Sequence, residues 1–138
     1  MTGKLEKVGV GVIGVGIGSL HIQGYKQCPE AEVIAVCDAN EERARACANQ
    51  YGIPNVYTDY KEMLNRNDID AVSICTPNYL HAPMAIAAFE AGKHVICEKP
   101  LAMNPSEGEA MVEAAKKAGK LFMTAFNNRF RGDSQVLK

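Results

Sequence analysis

A run of β-branched and apolar residues, Val8 to Ile13, breaks off into Gly14-Val15-Gly16-Ile17-Gly18-Ser19. No other stretch restricts the fold as much. The run has the composition of a buried strand. The three glycines that follow leave the backbone bare where a helix is expected to start, near Gly18 or Ser19. Amides at a helix N-terminus attract negative charge, and side chains there would keep an anion at a distance. The block therefore reads as a strand–turn–helix unit that receives a phosphate, or as a turn that merely needs flexible residues.

The alternation continues along the chain. Val33 to Cys37 is a second strand, and Asn40 caps a helix whose first turn holds Glu41 and Glu42, matching the helix dipole. Ala44, Cys47, Ala48 and Tyr51 form its buried face, and Gly52 and Pro54 end it. A short strand is expected over Asn55 to Tyr57. Asp59 and Glu62 form a capping-box-like start for a helix with Tyr60, Met63 and Leu64. Ala71 to Cys75 is the fourth strand. A helix from about His81 to Ala91 follows, burying Met84, Ala87, Ala88 and Ala91 and stopping at Gly92. Val95 to Cys97 is the fifth strand. Ser106 and Glu109 read as the capping box of a helix that buries Met111, Ala114, Ala115 and Ala118, and Leu121 to Phe126 is the sixth strand.

Strands alternating with helices give an α/β fold with a doubly wound parallel sheet, a Rossmann fold of about six strands in the order 3-2-1-4-5-6. Residues 1–127 form that domain. Residues 128–138 are expected to begin a crossover, because Asp133 or Ser134 can cap a helix that only Gln135 to Lys138 follow. The expectation is a chain lacking a second, substrate-binding domain, with apolar surface left bare around Phe126 and Phe130.

At 138 residues the chain fits one domain. Lys and Arg number 15 against 16 Asp and Glu, so no basic surplus exists to draw a nucleic-acid backbone. No apolar stretch has the length of a membrane span. Met1 to Lys7 is too polar for a signal peptide, which points to the cytoplasm. Five cysteines without a C-x-x-C pair are read as free thiols in a reducing compartment. Cys37, Cys75 and Cys97 at strand ends, with His81, invite a metal reading, but no ligand spacing supports it and none is expected.

Asp38 ends the second strand 20 residues past Gly18. That is where an acid accepts the ribose hydroxyls of an adenosine whose pyrophosphate rests on the glycine loop. The plainer reading is a helix N-cap. Position and glycine loop together favour the dinucleotide role, with NAD preferred because the acid repels a 2′-phosphate. NADP stays open through Arg43 and Arg45, whose helical positions suggest that they face solvent. S-adenosylmethionine is the competing ligand, but Val12 stands where methyltransferase loops usually carry an acid.

Three blocks carry a resemblance: Gly14 to His21, Cys75-Thr76-Pro77-Asn78 with His81, and Gly92-Lys93-His94-Val95 leading to Glu98-Lys99-Pro100. From about Lys7 to Arg131 the chain resembles the glucose–fructose oxidoreductase and inositol dehydrogenase family, also called the MocA family. Its loop usually reads G-x-G-x-x-G-x-x-H. Here one residue fewer gives G-x-G-x-G-x-x-H, and a tighter turn is expected. Phe126 to Phe130 resembles the family's passage into its second domain.

The resemblance implies an NAD(P)-dependent oxidoreductase that moves a hydride between nicotinamide and a hydroxyl or keto group of a sugar, polyol or related compound. It implies Lys99 as the catalytic residue, taking or steering the substrate proton. Gly14, Gly16, Ile17, Gly18, Asp38, Thr76, Pro77, Asn78, His81, Glu98, Lys99 and Pro100 are then the cofactor-binding set, with Glu98 on a ribose and Pro100 in the cis form. Each has a plainer reading: Lys99 in solvent, Glu98 as its ion partner, Thr76 to Asn78 as a simple turn, His81 as a helix cap. His21 is read as packing or capping near the loop, and His94 as structural at the far end of the sheet. The small-molecule substrate aside, a homo-oligomer is the expected partner in a full-length protein, with no nucleic acid and no membrane. The alternative is a non-catalytic dinucleotide-binding module, since 138 residues alone are expected to turn over little or nothing.

Overall fold

The computed structural model describes residues 6–126. Their elements are β1 (Val8–Ile13), α1 (Val15–Lys26), β2 (Ala31–Cys37), α2 (Glu41–Tyr51), β3 (Asn55–Tyr57), α3 (Tyr60–Leu64), β4 (Ala71–Ile74), a 3-10 turn (Asn78–Leu80), α4 (His81–Glu90), β5 (His94–Cys97), α5 (Pro105–Ala118) and β6 (Phe122–Thr124). All neighbouring strands are parallel, in the order β3-β2-β1-β4-β5-β6. That is the order the alternation predicts. The connections reverse direction between β1 and β4, which opens a crevice outside the carboxyl ends of those strands. The expected crossover, with Phe130 and the helix cap at Asp133 or Ser134, lies outside the described residues.

A parallel sheet needs cover on both faces, because its strands are apolar on both. Here the two faces are covered unequally. On one, Ile13, Val72, Ile74, Val95 and Cys97 pack against Met63, Ala85, Ala88, Phe89 and Met111 from α3, α4 and α5. Phe89 and Phe122 close that layer edge to face, 5.2 Å between ring centres. On the other, Val10, Val12, Val33 and Val36 meet Ile22 of α1 and Cys47 and Ala48 of α2. Past β4 this second layer gives way to an apolar cavity of about 490 Å³, where Leu20 and Tyr25 of α1 face Ile96, Met123 and Phe126. Met123 and Phe126 are about half exposed.

Helix ends follow local chemistry. Asn40 accepts from the Arg43 amide at 3.1 Å, and Gly52 closes α2 in the left-handed conformation. Asp59 caps α3 through the Lys61 amide. Two expectations are corrected. First, α5 is not opened by Ser106 and Glu109. Asn104 accepts from Glu107 N–H at 2.9 Å, and Glu107 accepts from Met103 N–H at 3.0 Å. Pro105 explains the shift, since it has no amide to satisfy and its fixed φ suits the first helical position. Second, α1 starts at Val15 rather than near Gly18 or Ser19. Gly14, at φ 89°, makes the turn alone, and the rest of the glycine block lies inside the first turns of the helix.

Among the described residues no helix is long and apolar enough to cross a membrane. All five cysteines are unpaired.

Candidate cofactor-binding site

The three glycines of the block do three different jobs. A Cβ on Gly14 would stand 2.7 Å from the Cys75 carbonyl oxygen, so only glycine lets β1 pass this close to β4 while turning. A Cβ on Gly18 would stand 2.7 Å from Val12 Cγ1, so glycine here seats the helix on the strand. Gly16 differs. Its Cβ would meet only the Arg43 guanidinium, at 3.1 Å, and its backbone is open to the crevice. Turn, close approach and helix packing are the roles of the three glycines in a dinucleotide loop. They survive here although the motif is one residue short.

Amides of a first helical turn lack intrahelical acceptors. Val15 N–H donates to Asp38 Oδ2 at 3.1 Å. The N–H groups of Gly16 and Ile17 have no acceptor among the described residues. Ile17 is more than half exposed at the same place. Asp38 Oδ1 accepts from Asn40 N–H at 2.9 Å. Its carboxylate is thus fixed by two amides, one from the glycine turn, and two of its roughly four lone-pair sites remain. Asp38 is not the cap of α2, which is Asn40. Arg45 faces away and pairs with Glu41. Arg43 is exposed, as its helical position suggests, and its guanidinium also reaches over Gly16 and comes within 3.7 Å of Asp38 Oδ2.

The loops after β4 and β5 border the same crevice. Thr76 follows β4, with its hydroxyl donating to Met84 Sδ at 3.3 Å; Pro77 and Asn78 are exposed. After β5, Lys99 and Pro100 are exposed and joined by a cis peptide bond, the form the resemblance implied. His81 is fully buried and does not cap α4. Its Nδ1 lies 2.8 Å from the Pro100 carbonyl and its Nε2 2.9 Å from the Thr76 carbonyl. It ties one loop to the other and has no ring surface to present to a ligand. Glu98 does not pair with Lys99. Its Oε1 meets His21 Nε2 at 2.7 Å.

That last contact leads to residues that sequence reasoning passed over. His21 Nδ1 lies 3.1 Å from Ser73 Oγ, and Tyr25 Oη lies 2.5 Å from the same oxygen. Ser73 is fully buried. The available signal was a lone hydroxyl within the apolar run Ala71-Val72-Ser73-Ile74, since a buried polar group needs a partner.

The strand-end thiols give no ligand set. Burial, helped by the Asp38 charge, pushes Cys37 up to about 12, and burial with Glu98 does the same for Cys97. Burial raises Cys75 as well, so all three stay protonated at neutral pH. Among the described residues no three His, Cys, Asp or Glu side chains are grouped to hold a metal.

Comparison with known proteins agrees with this geometry. Residues 8–126 match the GFO/IDH/MocA oxidoreductase family, described as an NAD-binding Rossmann fold. The chain is 37% identical over 130 residues to myo-inositol 2-dehydrogenase of Thermotoga maritima, covering 94% of this chain and 39% of that protein. It is 39% identical to D-glucoside 3-dehydrogenase of Escherichia coli, covering 94% of this chain and 37% of the relative. Among solved structures it resembles the WlbA dehydrogenase of Bordetella pertussis in complex with NADH and UDP-GlcNAcA. That likeness has a TM-score of 0.91 at 32% identity and covers 96% of this chain and 41% of that one. The chain thus spans well under half the length of these relatives. It belongs to the glucose–fructose oxidoreductase, inositol dehydrogenase and MocA family.

Proposed function

We propose that this chain is the cofactor-binding part of an NAD-dependent oxidoreductase that transfers a hydride between nicotinamide and a hydroxyl or keto carbon of a sugar or polyol. One observation carries the reading. The bare turn at Gly16, with two unmatched amides, lies beside the fixed carboxylate of Asp38 at the point where the strand order reverses. The pyrophosphate accepts from the Gly16 and Ile17 amides, where any side chain at position 16 would intrude. The remaining lone pairs of Asp38 accept from the adenosine ribose hydroxyls, at about 1.5–3 kcal/mol for each charge-assisted bond. Asp38 repels a 2′-phosphate, so NAD is preferred. Arg43, 3.7 Å away, offsets part of that charge and keeps NADP within reach.

When bound, the nicotinamide accepts or returns the hydride. Thr76, Pro77 and Asn78 line one wall of its site, and Glu98, Lys99 and Pro100 the other. Lys99 is the catalytic residue of this reading: exposed at the crevice, it takes the hydroxyl proton during oxidation and returns it during reduction. The sugar or polyol class rests on what the relatives act on: myo-inositol and D-glucosides by their names, with UDP-GlcNAcA bound in the WlbA complex. Five unpaired thiols suit a reducing compartment, and we place the protein in the cytoplasm on that ground.

Isothermal titration of the 138-residue chain with NADH and NADPH tests this reading. NADH should bind, more tightly than NADPH, without turnover of added polyols by this chain alone. Absence of binding to either nucleotide overturns it.

A further inference from the structure

Lys99 sits in a turn whose two flanking residues are each held by a histidine, one from each side of the sheet. From the α4 side, His81 holds the Pro100 carbonyl. From the α1 side, His21 holds the Glu98 carboxylate. His21 also lies on the helix that the glycine block opens.

We propose that His21 is a positioning residue. With Ser73 and Tyr25 it forms a one-way chain of hydrogen-bond donors that fixes Glu98, and through it the Lys99 turn, in register with the glycine-loop helix. The inference deepens the function proposed above and rests on it.

The direction of the chain follows from counting donors. Tyr25 and His21 stand four residues apart on one face of α1, both over Ser73 in the middle of β4. Burial raises the Tyr25 phenol, so it keeps its proton. Ser73 Oγ is the acceptor within its reach among the described residues, so Tyr25 donates to Ser73. Ser73 then gives its own hydrogen to His21 Nδ1. With Nδ1 accepting, the ring proton sits on Nε2 and is donated to Glu98 Oε1 at 2.7 Å. Each bond in the chain then has one donor and one acceptor, and successive bonds of this kind polarise one another. Glu98 Oε2 has no partner among the described residues and is left for a ligand hydroxyl.

This arrangement joins the two halves of the cofactor site mechanically. The phosphate end is set by α1, and the Glu98–Lys99 end by His21 of the same helix. Loss of His21 should leave the adenosine half of the site intact and loosen the other half.

Two measurements on the 138-residue chain test the proposal. The first is a long-range ¹H–¹⁵N spectrum at pH 7.5, with His21 assigned by its absence in His21→Phe. A ring protonated on Nε2 alone is expected. An Nδ1–H tautomer or an imidazolium overturns the donor chain. The second compares titration with NADH and with ADP. His21→Phe should weaken NADH by about tenfold and ADP by less than about twofold, and His21→Gln, which keeps a donor and an acceptor, should recover most of the loss. Equal losses for both ligands, or no recovery by Gln, reduce His21 to a packing residue and overturn the proposal. If His21→Phe does not fold, Tyr25→Phe removes the first donor more gently, and the same NADH-selective loss is required of it. If the unaltered chain binds neither NADH nor ADP, the proposed function itself fails, whatever tautomer the spectrum shows.

Discussion

The two ends of the sheet carry the same kinds of side chain and use them in opposite ways. At the amino end of the strands stand Asp70, Lys93 and His94; at the carboxyl end stand Asp38, Lys99 and His21. Lys93 is buried and donates to the carbonyls of Arg66 and Ile69, at 2.6 and 2.7 Å. Asp70 accepts from Gly9 N–H at 2.9 Å, and His94 accepts from Leu121 N–H at 3.0 Å. These groups are matched to backbone and hold loops shut. Lys99, by contrast, is exposed and has no side-chain partner among the described residues, and two amides near Asp38 are likewise unmatched. Residue type does not separate scaffold from site here; what each group has left to bond does.

The largest effect that could break this contrast is on turnover. In an enzyme of the relatives' length that contains this domain, Lys99→Ala should lower kcat by about 10²–10⁴. Stability in denaturant unfolding should hold within about 0.5 kcal/mol, since an exposed, unpaired side chain is removed. A folded Lys99→Ala enzyme with full kcat would erase the distinction.

Lys93→Met should do the reverse. It strips two donors from buried carbonyls and should cost about 2–4 kcal/mol in denaturant unfolding, with NADH affinity unchanged in the folded fraction. Its pH dependence is also defined. Burial lowers Lys93 from its ordinary 10.5, so between the folded value and 10.5 the unfolded chain binds more protons. Stability then rises with pH as the cost of burying the charge is relieved. The gap between the unaltered chain and Lys93→Met should widen as pH climbs towards 10.5.

Asp38→Ala should weaken NADH by about 1.5–3 kcal/mol and erase the preference over NADPH, read by titration. An unchanged preference would remove Asp38 from the ribose. The smallest effect belongs to the amino end again. His94→Phe loses one partly exposed bond and should cost about 0.5–1.5 kcal/mol in thermal unfolding, without change in binding.

Much of this was legible in the chain, and the rest was hidden for physical reasons. Strand order followed from alternation alone, and the cap at Asn40 and the stop at Gly52 followed from local chemistry within a few residues. The start of α5 was misplaced because Ser106 and Glu109 have the spacing of a box, while Asn104 and Glu107 are the pair that closes around Pro105. The start of α1 lies earlier than the glycine block suggests because Gly14 alone makes the turn, and glycine composition does not tell a turn from a first helical turn. The bonds of His21, Tyr25 and Lys93 escaped notice because their partners are 24 to 77 residues away in the chain and include bare carbonyls, which no residue type signals. Arg43 faces solvent as its helical position suggests, but its long side chain also reaches Gly16, a contact that helical position does not signal.

The claim that the carboxyl end of the sheet is the ligand site and the amino end is closed scaffold has one direct test. Amide chemical shifts of the chain, followed while NADH is added, should move most at Gly16, Ile17, Asp38 and Thr76, and stay still at Gly9, Asp70, Lys93 and His94. Shifts centred on the second group, or spread evenly over both ends, would contradict it.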